Sequence, residues 1–357
     1  MQRVQALRKQ FPMLSRLTFL NAGTDGPVAT AARDAATAAL AAQFDEPRWT
    51  ADFETRLAEQ AALRDRYARL LGCSADDVAL TTSTSEGLGK VLNGMGLRTG
   101  DEVLTGEDEH PGLIGPLLAA RERGVTIRTA PLAQIASAIT ASTTLVACSH
   151  VSWITGELAD PALANTDVPV VYDGAQSAGA IPVDVAALGC AAYTGSGQKW
   201  LCGADGSGML YLAPGFRDRV HALGASYSAF ARTDAGLKSP LHTNARRHDT
   251  VALGRETVAM SLAAFDVLDG AGWNDVHARG PALGARLAEA LAERGFRVAP
   301  RDATTLVAWE DPDPVAASAR LVAQGIIVRD LPGTSFLRAS TGAWNDEEDL
   351  ERLLAAL

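Results

Sequence analysis

Of the four lysines in the chain (Lys9, Lys90, Lys199 and Lys238), Lys199 has the surroundings that covalent chemistry needs. It lies in Thr194-Gly-Ser-Gly-Gln-Lys-Trp-Leu-Cys-Gly203, between a strand end and a glycine-rich stretch where the backbone can approach a ligand closely. Taken alone, such a lysine is more often a surface turn residue. Upstream, Asp173 closes the apolar run Val168-Pro-Val-Val-Tyr-Asp173, at the kind of strand end where α/β sheets place ligand-contacting groups. An acid and then a lysine on consecutive strand ends is the arrangement pyridoxal phosphate (PLP) needs. The carboxylate keeps the pyridine nitrogen protonated, so the ring can absorb the electrons of a Cα carbanion. The lysine holds the cofactor as a Schiff base and moves the proton. Asp173 by itself would suit a helix cap; the ordered pair is the specific signal.

These residues must be held by a sheet. Short apolar, β-branched runs recur at 78–82, 102–105, 126–130, 144–148, 168–172, 191–194 and 208–212, with helical patterns at 51–71, 85–97 and 112–123 between them. This βαβ rhythm predicts an α/β fold with one mostly parallel sheet and helices on both faces. Residues 213–250 are polar and irregular and read as a segment crossing between domains. Beyond about residue 253 the pattern changes to two long helices (256–270 and 273–294), short strands at 297–299, 305–309, 326–328 and 336–339, and a closing helix at 347–357. The expected organisation is an N-terminal segment, 1–20, packing near the active site, a large domain at 21–250, and a small α+β domain at 251–357.

The composition agrees with such an enzyme. The chain has 357 residues, 47% hydrophobic and 21% charged, which suits two domains sharing one site. A net charge of −10 repels phosphate backbones and anionic lipids, so neither a nucleic-acid nor a membrane partner is expected. No apolar run approaches the ~18 residues of a membrane span, and the basic start lacks the apolar core of a secretory signal. The four cysteines, Cys73, Cys148, Cys190 and Cys202, form no CxxC pair, so reduced thiols, a cytoplasmic location and no metal site are expected. Gly203-Ala-Asp-Gly-Ser-Gly208 lacks the G-x-G-x-x-G order of a dinucleotide site and precedes a strand.

Three stretches resemble the class V aminotransferase family, the fold type I PLP enzymes that include cysteine desulfurases, selenocysteine lyases and isopenicillin N epimerase-like proteins. They are Tyr172-Asp-Gly-Ala-Gln-Ser-Ala-Gly-Ala-Ile-Pro-Val-Asp184 running on to Ser196-Gly-Gln-Lys199, then Leu337-Arg-Ala-Ser340 with Trp344-Asn-Asp-Glu-Glu-Asp-Leu350, and Phe19-Leu-Asn-Ala-Gly-Thr-Asp-Gly-Pro27. The resemblance implies a fold type I large domain, a homodimer and a small amino acid as substrate. It assigns the cofactor phosphate to the turn Ser83, Thr84 and Ser85, although the family usually has glycine where Ser83 stands, and to Ser196 and Gln198. It implies that His110 stacks on the pyridine ring and that Gln176 donates to the phenolic oxygen. Arg338 is implied as the substrate-carboxylate residue, because a guanidinium fork matches a carboxylate. Asn21 belongs to the same substrate side. Trp153 replaces a family asparagine and either forfeits a hydrogen bond or forms a pocket wall. Gln198 replaces a histidine found in many desulfurases. Arg246, Arg247 and His248 form a basic cluster that could meet substrate or a partner subunit's cofactor.

A persulfide-forming desulfurase needs a cysteine shortly before the Arg338 motif, and 326–336 has none. Cys202 lies near Lys199 in sequence, but a structural thiol is its expected role. The expected reaction therefore needs only Lys199 and the cofactor: β-elimination of the C–S lyase type, with transamination or epimerisation as alternatives. A catalytically silent binding protein is the remaining one, opposed by the joint presence of Lys199, Asp173, His110 and Arg338.

Overall fold

The computed structural model describes residues 2–234, 236–250 and 253–357. The expected domain boundary at 250/251 falls at Val251 and Ala252, outside the described residues. A seven-stranded sheet carries the site. From edge to edge its strands are Val78–Thr81, Gly208–Leu212, Ala192–Ser196, Val170–Asp173, Thr143–Ser149, Glu102–Gly106 and Thr126–Ala130. Only Gly208–Leu212 runs antiparallel to its neighbours.

Both faces of this sheet are covered, which is why its strands read as unbroken apolar runs. Successive side chains alternate between two cores. Val146, Cys148, Val170, Tyr172 and Tyr193 face one core, built with Leu63, Tyr67 and Leu71 of helix Thr50–Leu71 and with Val258 and Phe265 of helix Arg255–Ala271. Leu145, Ala147, Val171 and Ala192 face the other, against Leu88, Val91 and Leu92 of helix Thr84–Gly94 and Leu113 and Leu117 of helix Pro111–Glu122. Burying one such leucine or valine contributes roughly 1.5–3 kcal/mol, so the central strands are strongly fixed and their ends are reliable platforms.

A second sheet, Arg329–Asp330, Phe336–Ser340 and Leu306–Glu310, is antiparallel. Its core includes Leu283, Leu287 and Leu291 of helix Trp273–Glu293. The chain's start belongs to this region: Thr18–Phe19 pairs in parallel with Ile326–Ile327, and Arg8 forms an ion pair with Asp349 at 2.7 Å. The segment after Phe19 then turns toward the large sheet.

Three helices depart from the sequence expectation. Gln2–Lys9, Thr30–Asp45 and Pro314–Ala323 are helical where none was predicted. In Thr30–Asp45 half of the residues are alanine, which gives high helix propensity but no stripe of large apolar side chains for periodicity to detect. The strand expected at 297–299 is reduced to a single bridge, Val298 to Trp309.

Candidate active site

Two helix N-termini meet the C-terminal ends of three central strands of the large sheet. Ser83 is the N-cap of helix Thr84–Gly94, its hydroxyl accepting the Glu86 N–H at 3.1 Å. Glu86 returns to the Thr82 N–H at 2.6 Å and hydroxyl at 2.7 Å. The cap thus uses the Ser83 and Glu86 side chains and fixes the helix start, leaving the first-turn N–H groups of Thr84 and Ser85 for a ligand. The helix start is seated on the neighbouring strand, with the Thr194 hydroxyl donating to the Thr84 carbonyl at 3.3 Å. Around it, Thr84 Oγ1, Ser196 Oγ and Gln198 Oε1 are buried without a hydrogen-bond partner. An unsatisfied buried polar group costs about 1–3 kcal/mol. The Thr84 and Ser196 hydroxyls can donate to a phosphate-like group, which the helix dipole also favours, whereas the Gln198 carboxamide oxygen can only accept and Gln198 would meet a phosphate through its N–H2.

Asp173 ends strand Val170–Asp173 and is buried; its Oδ1 accepts the Ala175 N–H at 2.9 Å. Burial pushes its pKa up, opposed by that hydrogen bond and by the Lys199 charge. Lys199 follows the adjacent strand Ala192–Ser196. Burial lowers its ammonium to about 8; Asp173 and Asp25 oppose this shift, and Arg338 and Arg329 assist it. The segment 21–27 lies directly on Lys199. The Gly26 N–H donates to the Gln198 carbonyl at 2.7 Å, and a Cβ on Gly26 would lie 2.0 Å from the Lys199 carbonyl oxygen, so only glycine fits. Gly23 is similarly enclosed: a Cβ there would lie 2.9 Å from Arg338 Nη2 and 3.1 Å from Gln176 Oε1.

Gln176 donates to the Gly23 carbonyl at 2.8 Å and accepts from the Trp200 indole at 3.2 Å. One of its two N–H bonds remains for a ligand. Asn21 uses its carboxamide oxygen inside the turn, accepting from the Thr24 hydroxyl at 2.8 Å.

His110 is the N-cap of helix Pro111–Glu122, its Nδ1 accepting the Gly112 N–H at 3.0 Å. Burial, then Lys199, Arg329 and Arg338, lowers its pKa to about 4, so the ring is neutral at pH 7. Trp153 stands edge-on to it, with centroids 5.2 Å apart, and spends its indole N–H on the Asp108 carbonyl at 2.8 Å. The Trp153 indole is therefore a wall rather than a donor to a ligand. Arg338 donates to the Trp153 carbonyl, while its buried Nε has no partner. It is 1% exposed, and burial and Arg329 push its pKa down to about 9. Among the described residues no carboxylate lies within ion-pair distance of Arg338. A buried guanidinium keeps its charge and is costly without an anion.

The basic cluster lies beside the edge strand Val78–Thr81, which leads into the Ser83 cap, and contacts helix Thr84–Gly94. Arg247 donates to the Arg217 carbonyl, and the His248 carbonyl accepts Lys90 Nζ at 2.7 Å, beside strand Val78–Thr81. Cys202 is buried, its thiol pushed well above the ordinary range by burial, and it holds a left-handed φ of 52° at the end of the lysine turn.

Sequence reasoning missed Arg329 and Asp25. Arg329 pairs in register with Arg338 across the two antiparallel strands and donates to the Thr24 hydroxyl at 2.9 Å. The Pro332-Gly333 pair between the two strands was the available signal, since a hairpin folds residues on its two arms onto each other. Asp25 has its pKa raised by burial and by Asp205, and it acts on Lys199.

The unpartnered Thr84 and Ser196 hydroxyls, the buried acid on the adjacent strand end, the desolvated lysine and the unpaired arginine fit a phosphorylated pyridine cofactor and a carboxylate substrate. The comparisons agree. Residues 50–353 match the aminotransferase class-V family. The chain is 28% identical to isopenicillin N epimerase of Streptomyces clavuligerus, over 95% of this chain and 93% of that protein. It is 36% identical to cysteine desulfurase of Serratia proteamaculans over 43% of this chain and 42% of that one. Among solved structures, a complex between the cystine C–S lyase C-DES and its product cysteine persulfide superposes with a TM-score of 0.91 at 26% identity, covering 97% of this chain and 98% of that one. A C-DES variant with glycine covalently linked to the PLP cofactor gives the same score, covering 98% of each chain. The chain belongs to the aminotransferase class-V family and is a PLP-dependent enzyme of that family.

Proposed function

We propose that the enzyme cleaves a C–S bond of a small sulfur amino acid by β-elimination, without forming a persulfide on one of its own cysteines. The observation that carries this is the make-up of the site's mouth. The hairpin that leads to Arg338 presents Arg329 and no thiol. Cys148, Cys190 and Cys202 are buried, and burial raises the pKa of all four thiols, Cys73 to about 12.

PLP, when bound, supplies an electron sink conjugated to the substrate Cα. The protein does the rest. Thr84, Ser85, Ser196 and Gln198 hold the phosphate, Asp173 keeps the pyridine nitrogen protonated, and His110 and Gln176 fix the ring. Arg338 grips the substrate carboxylate and so orients the Cα–H bond. Lys199 would take the Cα proton as a general base. The electron pair of the broken C–S bond leaves with sulfur. The remaining enamine hydrolyses to pyruvate and ammonia when the substrate is cysteine-like. The likeness to the cystine C–S lyase C-DES supports this reading.

Epimerisation is the second reading, favoured by the nearly full-length similarity to isopenicillin N epimerase. A panel of amino acids, including cysteine and cystine, assayed for pyruvate, for other keto acids and for racemised product separates the two. Pyruvate from sulfur amino acids supports elimination; inverted amino acid without pyruvate overturns it.

The working unit is taken to be a homodimer. Leu40, Phe44 and Trp49 stand exposed about the junction of helices Thr30–Asp45 and Thr50–Leu71, Phe44 at 91%, and a second copy would cover them. Sedimentation of the purified protein tests this. The four cysteines are free, which fits a reducing cytoplasm, and among the described residues no helix is long and apolar enough to cross a membrane.

A further inference from the structure

Between His110 and the sheet lies a buried carboxyl that the proposed chemistry leaves unused. Glu109 is 6% exposed, and among the described residues no cation pairs with it. Its Oε1 accepts the Ser149 N–H at 2.9 Å, and its Oε2 accepts the Ser149 hydroxyl at 2.5 Å. Burial lifts its pKa to about 7; the Ser149 hydrogen bonds oppose the rise and Asp173 adds to it. A buried carboxyl with no cation is unfavourable unless it is well hydrogen-bonded. The fold makes room for it at Gly106, where a Cβ would lie 2.5 Å from Oε1.

The two ends of this contact both belong to the site. Ser149 ends strand Thr143–Ser149 in register with Asp173, and the next N–H, of His150, donates to the Asp173 carbonyl at 2.9 Å. Glu109 immediately precedes His110. It follows Asp108, whose carbonyl holds the Trp153 indole, and the Trp153 carbonyl in turn accepts from Arg338. One side chain therefore ties the turn bearing His110 and anchoring Trp153 to the strand end beside Asp173.

We propose that Glu109 is a positioning residue whose two-pronged grip on Ser149 sets the placement of the His110 ring and of Trp153 over the PLP site. The proposal rests on the cofactor site and is independent of whether the reaction is elimination or epimerisation. The test compares PLP-loaded parent, Glu109→Ala, Glu109→Gln, Ser149→Ala and the Glu109→Ala/Ser149→Ala double variant. The measurements are visible circular dichroism of the bound cofactor, melting temperature, and kcat and KM separately. Glu109→Ala is expected to lose roughly half or more of the visible dichroism and to lower kcat about tenfold, of the order a misplaced catalytic group costs. Glu109→Gln, whose carboxamide oxygen still accepts from Ser149, is expected to recover most of both. Ser149→Ala should act in the same direction, and the double variant should be no worse than Glu109→Ala, because both remove one interaction. Parent-like dichroism in Glu109→Ala, whatever its melting temperature, overturns the proposal, as does full additivity in the double variant. If Glu109→Ala does not fold, parent-like dichroism in Ser149→Ala overturns it.

Discussion

Asp173, Ser196 and Lys199 reach the site from adjacent strand ends of one buried sheet, whereas Gly23, Trp153, Arg329 and Arg338 are brought to its mouth from segments far apart in the chain. The first group rides on strands packed on both faces, so its geometry is set by the sheet itself. The second depends on the docking of the N-terminal segment and the C-terminal sheet against one another, through Thr18–Phe19 and the bridge from Asn21 to Ser340. The unpartnered Thr84 and Ser196 hydroxyls of the first region suit the cofactor phosphate in the proposed reading. The second offers guanidinium charge and an aromatic wall, features that select among substrates. In the proposed reading, reaction chemistry would sit on the rigid part of this fold and substrate choice on the part assembled by long-range contacts.

That contrast can be broken most forcefully at Lys199. Lys199→Ala is expected to lower turnover roughly 1000-fold or more, as removal of an essential proton-transfer group does. Borohydride reduction and peptide mapping of the parent should place the cofactor on Lys199; label on Lys90 or Lys238 would contradict the assignment. Asp173→Asn should retain PLP yet lose on the order of 100-fold in kcat, about 3 kcal/mol, because an amide cannot hold the pyridinium proton by charge. Near-parent turnover in that variant would mean that the sheet end does not serve the ring nitrogen.

At the mouth, Arg338→Lys should leave the visible cofactor absorbance intact while kcat/KM for the amino acid drops about 30-fold, since an ammonium cannot reproduce two parallel hydrogen bonds. Loss of the cofactor absorbance would place Arg338 in the rigid floor instead, and an unchanged kcat/KM would transfer the carboxylate to Arg329. The smallest effect concerns pH. The attacking form of Lys199 is the neutral amine, and its pKa of about 8 means that the neutral fraction grows as pH rises through 8. Cofactor loading of the apo-protein, followed by stopped-flow absorbance, should be about tenfold faster at pH 9 than at pH 7, the ratio of neutral fractions for that pKa. A rise of about 100-fold over this interval, as a lysine of ordinary pKa gives, would show that Lys199 is not desolvated before the cofactor arrives.

The strands were legible because each is a short apolar run closed by turn residues: Thr126–Ala130 and Gly208–Leu212 begin and end where the sequence pattern does. Helix Thr50–Leu71 likewise follows from its spacing and from the left-handed Gly72 that stops it. Helix Thr30–Asp45 was not legible, because an alanine-rich face packs by closeness rather than by bulk. The structure brings Lys199, Asp173, His110 and Arg338, the residues the sequence proposed, into one region. The sequence left Trp153 between a forfeited hydrogen bond and a pocket wall, and the structure commits its indole N–H to the Asp108 carbonyl.

What the sequence determined by itself was local: which runs are strands, which motifs resemble the family's, and that no thiol stands within 326–336. Alternation of side chains along a strand and the caps of helices are short-range rules, so they survive in one dimension. Tertiary structure alone decided that Arg329 lies beside Arg338, that Gly26 presses on the Lys199 carbonyl, that Glu109 grips Ser149, and that Arg338 is buried without a carboxylate. These depend on register between strands and on the packing of segments far apart in the chain. That information is created only when the apolar faces are buried together and the distant loops are forced to share one cavity.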